Sequence, residues 1–119
     1  MGKYFELDVW RQAMLLAEES YRITRAFPAD ERFGLTSEIR RAATSIPSNV
    51  AEGHCRRTTG AFMNHVSIGL GSHGELDTRV ELSARFEYVS RSELARFVDL
   101  SGNVGRMLNG LYNSLKAGR

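Results

Sequence analysis

Four separate stretches of this chain repeat apolar or small residues every three and four positions, a periodicity that fits packed helices and little else. In the first stretch, Leu7, Trp10, Met14, Ala17, Tyr21 and Thr24 form one seam, and Val9, Ala13, Leu16, Ser20, Ile23 and Phe27 form a second. Two adjacent seams are wider than a single stripe, so this helix is expected to meet protein on two sides. In the second stretch, Leu35, Ile39, Ala42, Ala43, Ile46 and Val50 fall on one narrow face at about 100° per residue. Arg41 and Ser48 then lie opposite that face, with Arg40 on its flank. The third stretch carries Phe62, Val66, Gly69, His73, Leu76, Val80 and Ser83, and the fourth Leu94, Phe97, Ser101, Val104, Leu108, Leu111 and Leu115. No strand alternation, internal repeat or composition break divides the 119 residues, so residues 1–119 read as one domain. The expected fold class is all-α: an up-down-up-down antiparallel four-helix bundle, with helices at about 7–26, 33–51, 59–86 and 91–116.

Local signals place the boundaries. Phe27-Pro28 stops the first helix, because proline cannot continue it, and Asp30 is placed to cap the next segment. Pro47 lies inside the second periodic run, where it removes a backbone donor and crowds the preceding turn; a kink or short break is expected, with Asn49 recapping. Gly53 is placed to end that helix. Thr58 or Thr59 caps the third helix. Gly69, Gly71 and Gly74 lie within the third helix at a cost of about 1 kcal/mol each relative to alanine, which points to a close helix approach. Ser90 and Glu93 make a capping box, with Val89 and Leu94 at the staple positions. Ala117-Gly118-Arg119 is expected to fray.

Enzyme chemistry finds no foothold in the residue pattern. His54, His65 and His73 are the only histidines; no Glu-x-x-His occurs, and His65 and His73 stand two turns apart, so no metal is expected. Gly69-Leu70-Gly71-Ser72-His73-Gly74 falls one residue short of a Gly-x-Gly-x-x-Gly loop and follows no strand, which removes the phosphate-cradling context. Ser45, Ser48 and Ser72 lack glycine-elbow flanks. Glu52 and Glu75 read as structural carboxylates bonded to Arg40, Arg41 or Arg79. The chain is therefore expected to be no enzyme and to need no cofactor. Cys55 is the sole cysteine, which rules out an internal disulfide and fits a reducing compartment. With no basic-then-apolar leader and no run of about 18 apolar residues, a cytoplasmic location and no membrane partner are expected.

The basic residues are almost all arginine, with only Lys3 and Lys116 as lysines, and arginine suits bidentate contact with phosphate. Arg40, Arg41, Arg56 and Arg57 are the candidate nucleic-acid contacts. The net charge of +2 implies no such binding unless these charges cluster. A single copy of the patch would bind weakly, whereas a ring of copies would multiply phosphate contacts and make affinity steeply salt-dependent. The alternative is that these arginines pair with Glu38, Glu52 and Glu75.

One segment also carries a resemblance. Arg41-Ala42-Ala43 and Ser45-Ile46-Pro47-Ser48-Asn49-Val50-Ala51-Glu52-Gly53 form its centre. Leu7, Val9 and Trp10, Phe27-Pro28, Glu31, Gly34-Leu35, Phe62, Gly71-Ser72, Glu75-Leu76 and Thr78 extend it over about Phe5 to Leu111. With these residues the chain resembles the four-helix-bundle family encoded in intervening sequences of bacterial large-subunit ribosomal RNA genes. That family includes the accessory variability determinant of diversity-generating retroelements. The chain departs from the pattern at Glu38, usually glutamine, and at Gly69 and Gly74, which replace better helix formers. The resemblance implies a ring-like homo-oligomer, a pentamer, that is not an enzyme and that associates with RNA or DNA and with a reverse transcriptase. Two other readings stay open at this stage: a self-assembling scaffold with no nucleic-acid binding, and a small-molecule site near Trp10, Tyr21 and Phe62.

Overall fold

A computed structural model describes residues 2–118. Among the described residues there are four α-helices: α1 (Asp8–Thr24), α2 (Leu35–Cys55), α3 (Thr59–Arg85) and α4 (Arg91–Ala117). Short 3-10 turns at Tyr4–Glu6 and Ala29–Glu31 precede α1 and α2. Each helix packs on the next, α4 closes against α1, and α2 with α3 is the most extensive pair. Among the described residues there is no strand, and the result is the expected all-α four-helix bundle, 45 × 25 × 20 Å. The limits of the elements differ from the expected ones by no more than four residues. Arg119, part of the tail expected to fray, lies outside the described residues.

The core follows the sequence stripes. Leu16, Ile23, Ile39, Ile46, Val50, Val66, Leu76, Val80, Phe97, Val104 and Leu108 are fully buried. Ser20, Thr24 and Ser83 are buried too, and each hydroxyl donates to a carbonyl of its own helix: Leu16 O at 2.8 Å, Ser20 O at 2.9 Å and Arg79 O at 2.8 Å. Bonded this way, they fill narrow helix crossings without leaving a buried donor unpaired. On α1 the seam of Val9, Ala13, Leu16, Ser20, Ile23 and Phe27 is buried throughout, whereas Met14 and Tyr21 of the other seam are exposed.

The capping signals hold at two helices. Thr58 accepts from Ala61 N at 3.1 Å. Ser90 accepts from Glu93 N at 3.2 Å, while Glu93 accepts from Ser90 N at 2.9 Å. At α2 the cap is Glu31 rather than Asp30: Leu35 N donates to Glu31 Oε1 at 3.2 Å. The other Glu31 oxygen accepts from the Tyr88 hydroxyl at 3.2 Å, tying the α1–α2 and α3–α4 connections together. Burial and this bond hold the Tyr88 pKa above its ordinary 10.0.

Pro47 neither splits nor ends α2, which runs unbroken through Cys55, two residues past Gly53. Asn49 therefore does not recap; its Nδ2 donates to Ser45 O at 2.9 Å within the same helix. Gly53 is not a terminator but a packing residue. A Cβ there would lie 2.8 Å from His65 Cβ, 2.9 Å from Phe62 Cδ1 and 3.3 Å from the Phe62 carbonyl. The glycines expected at a close approach are mostly elsewhere. Gly69 faces α2 at ordinary contact distance, while a Cβ on Gly71 or Gly74 would meet nothing within 4 Å. Close approaches fall instead at Gly53 and at Gly105, where a Cβ would lie 2.8 Å from the His73 ring. The end of α3 shows a Schellman pattern, with Tyr88 N bonded to Ser83 O and Glu87 N to Ala84 O, both at 2.9 Å. Glu87 sits at the left-handed position usually given to glycine, with φ of 66°.

Two alanine substitutions separate these roles. Gly71→Ala gains helix propensity in open space and should raise stability by up to about 1 kcal/mol. Gly53→Ala must push α3 away and should lower stability by about 1–3 kcal/mol. Urea denaturation of the two variants reads both signs; equal shifts in one direction would contradict the assignment.

Candidate nucleic-acid interface

The four arginines singled out by sequence do not form one patch. Arg40 and Arg41 lie near the start of α2, and Arg56 and Arg57 just past its end, about 22 Å along the helix axis. Arg40 is already engaged. Its Nε donates to Thr24 Oγ1 at 2.9 Å, and its guanidinium lies over the Tyr21 ring at 4.5 Å. Arg56 is paired with Glu52 at 2.8 Å, both side chains being half exposed. Arg41 and Arg57 are exposed and carry no ion pair among the described residues. Of the four arginines only Arg56 shows the expected pairing, with Glu52, while Glu75 takes Arg79, as its reading as a structural carboxylate allowed. Arg79 takes both Glu38 and Glu75, while Arg40 and Arg41 take neither.

Around Arg41 the fold assembles partners that the linear pattern did not reveal. The first seam of α1 and the outer face of α2 leave a trough of about 520 Å³, lined by Trp10, Met14, Ala17 and Tyr21 from α1 and by Thr44, Pro47, Ser48 and Ala51 from α2. Arg25 and Glu18 line it as well. A second hollow of about 420 Å³ shares Tyr21 and Thr44 with the first and is lined by Arg32, Phe33, Arg40 and Arg41. Phe33 is 84% exposed, with the Arg32 guanidinium 5.1 Å from its ring centroid. Four arginines thus line two adjoining hollows, Arg25 the first and Arg32, Arg40 and Arg41 the second, and the single carboxylate lining either is Glu18. Arg25 and Arg32 escaped the sequence reading because they belong to the α1–α2 connection and to the end of α1. Only the helix pairing brings them beside Arg41. Phe62 takes no part in the trough; it packs on the α2–α3 side against Gly53 and the His54 ring.

Two polar clusters occupy the other helix crossings. Between α2 and α3, Ser45 and Ser72 hydroxyls meet at 2.7 Å, Asn49 Nδ2 donates to Ser45 Oγ at 3.0 Å, and His65 Nδ1 meets Asn49 Oδ1 at 3.0 Å. The other ring nitrogen of His65 lies 3.8 Å from the Glu52 carboxylate. The Arg56 bond, and then the His65 charge, hold the Glu52 pKa below its ordinary 4.5. Between α3 and α4, Ser101 donates to Asp77 and lies 3.0 Å from His73 Nε2, which also faces the Ser101 carbonyl at 2.8 Å. That order is wrong for nucleophilic catalysis. The carboxylate holds the serine proton instead of orienting the histidine, and Ser101 is 2% exposed. Among the described residues no three histidine, cysteine or acidic side chains are placed to hold a metal ion, and no helix is long and apolar enough to cross a membrane.

Comparison with known proteins bears on the fold and the family. The family described as 23S rRNA-intervening sequence protein matches residues 5–110. A crystal structure of a protein of unknown function from the S23 ribosomal protein family of Bacteroides thetaiotaomicron superposes with a TM-score of 0.81 at 22% identity. The match covers 88% of this chain and 95% of that one and shows a shared fold. No curated protein matches the chain.

The Glu52 shift gives a pH prediction. A carboxylate whose folded pKa is depressed contributes stability that is present above the unfolded value and lost as pH falls through the folded value. Replacing Arg56 with alanine removes the largest cause, so the Glu52 titration followed by carbon-13 NMR should move up toward 4.5. An unmoved titration would mean that the pair does not persist in solution.

Proposed function

The chain belongs to the 23S rRNA-intervening sequence protein family, and from that membership and its open arginine cluster we propose a non-enzymatic, self-assembling protein that binds nucleic acid. One observation carries this reading: Arg25, Arg32, Arg40 and Arg41 gather around Tyr21 on one face while a single carboxylate lines the same trough. A net charge of +2 is small, yet most of the acidic residues in ion pairs serve arginines elsewhere. Arg25, Arg32 and Arg41 have no carboxylate partner among those pairs, so the charge of this cluster is not cancelled in place, and a local cluster is what phosphate binding needs. Arg41 stays at the centre of the proposed contact and Arg57 supplies a separate point at the far end of α2. Arg40 acts by holding Tyr21 in place, and Arg56 contributes less because Glu52 neutralises it.

Self-assembly into a ring, a homopentamer in the finer form, is supported by large apolar side chains left open on the opposite edge of the bundle. Leu82, Phe86 and Val98 are 42–55% exposed, and Leu82 and Val98 line a groove of about 560 Å³ between α3 and α4. A ring multiplies a modest basic face into many phosphate contacts and so turns weak binding into useful binding. The same reading includes a cytoplasmic location and service as an accessory to a reverse transcriptase, with RNA as the first nucleic acid to test. A reverse transcriptase gene beside this one would support that last part.

Fluorescence anisotropy of a labelled structured RNA across a salt series tests the reading. Affinity should fall steeply with salt, and Arg25→Ala with Arg41→Ala should flatten the log–log slope by about 0.7–0.9 for each arginine in each bound copy. Arg56→Ala should change it much less. No binding at low salt would overturn the nucleic-acid reading. Light scattering should return a mass of five times the 13.3 kDa chain, and a monomer would overturn the ring.

A further inference from the structure

The trough between α1 and α2 holds more than charge. Along about 16 Å of α1, the span from Trp10 to Tyr21, aromatic and thioether side chains form one wall. The opposite wall, on α2, is made only of small residues: Thr44, Pro47, Ser48 and Ala51. Small side chains there leave room for flat groups beside the aromatic wall. Tyr4 meets Trp10 edge-on, with ring centroids 5.5 Å apart, and braces the indole from the side. Arg40 lies over Tyr21 and fixes that ring, which is still 40% exposed. Beyond Tyr21 the trough opens between Phe33 and Arg41. Aromatic side chains and arginines therefore share a channel made of two adjoining hollows, with Trp10, Tyr21 and Arg25 in the first and Tyr21, Phe33, Arg32 and Arg41 in the second.

We propose that this channel binds a short single strand of nucleic acid, its bases stacked on Trp10 and Tyr21 and its phosphates held by Arg25, Arg32 and Arg41. The proposal rests on the nucleic-acid reading above and narrows it from phosphate binding in general to single strands. A duplex offers only its backbone and groove edges, with its base faces closed by stacking, so it cannot use the aromatic wall. A single strand offers a face from every base, and stacking on aromatic side chains with arginine along the backbone is the usual mode of capture. An apolar protein helix seated there would leave the arginines uncompensated unless it were strongly acidic. Ser48 and the free lone pairs of Thr44 lie on the rim where base edges or sugar hydroxyls would pass. Pro47 gains a purpose in this arrangement, because its ring lines the channel.

Trp10 is the only tryptophan in the chain, so its fluorescence reports directly on the channel. The full-length protein is titrated with a 12-nucleotide adenosine RNA and, separately, with a 12-base-pair RNA duplex at the same salt. The single strand should quench Trp10 emission and bind at least tenfold tighter than the duplex. Tyr21→Leu should weaken single-strand binding roughly ten- to a hundredfold and leave duplex binding within about twofold. Ser48→Glu, an exposed change outside the core, should abolish single-strand binding without altering the circular dichroism spectrum. Equal affinity for both RNAs with no quenching would overturn the channel while leaving the phosphate reading intact. Absence of binding to either would remove both. A Trp10 signal that depends on protein concentration alone would mean that a second copy seats in the trough, and would also overturn the proposal.

Discussion

Close seating of α2 on α3 is the contact on which the remaining geometry depends. Gly53 lets the end of α2 rest against Phe62 and His65 with no room for a methyl group. Ala42 and Ala43 are buried on the same helix, and the Ser45–Ser72 and Asn49–His65 bonds pin the rotation of one helix against the other. These bonds are short-range and directional, unlike the apolar contacts around them, so they fix register where burial alone would tolerate slippage. Once the narrow apolar face of α2 is committed inward, its other side must face out beside α1. That side carries Arg41, Thr44 and Ser48, and the trough follows from it.

The distribution of charge follows from the same packing. Arg11, Arg22, Arg56, Arg79 and Arg85 each have a carboxylate partner on their own helix. Arg79 also reaches across to Glu38 and joins α3 to α2. Exposed pairs of this kind add little stability, on the order of 0–1 kcal/mol each. Their larger effect is to neutralise those five arginines in place and leave Arg25, Arg32, Arg41 and Arg57 as open charges near α2. A bundle with a small net charge can thus present one distinctly basic face.

Much of the fold was legible because helical periodicity is a strong signal. Every stripe residue of α2 is buried as read, and the Ser90–Glu93 cap is in place. The misreadings share a cause. Gly53 looked like a terminator, and Gly71 and Gly74 looked like packing residues, because glycine allows both roles and only the neighbouring helix decides between them. Pro47 suggested a break, but α2 is continuous through it, with Ile46, Pro47 and Val50 all buried. Glu31 rather than Asp30 caps α2, since the 3-10 turn at Ala29–Glu31 carries it to within reach of Leu35 N. Of the site, Arg41 was legible from its position opposite the core face. Arg25, Arg32 and the aromatic wall were not, because they join Arg41 only through pairing of α1 with α2. The exposed half of the double seam on α1 was visible as surplus apolar surface, yet periodicity alone could not say what covers it.

The most direct test of the account maps the contact residue by residue. Amide chemical shifts of the nitrogen-15-labelled protein would be followed as a short single-stranded RNA is added. The account predicts that the shifts concentrate on Trp10, Tyr21, Arg41, Thr44 and Ser48, along the trough. Shifts confined to residues 54–59, or spread evenly over the surface, would contradict it.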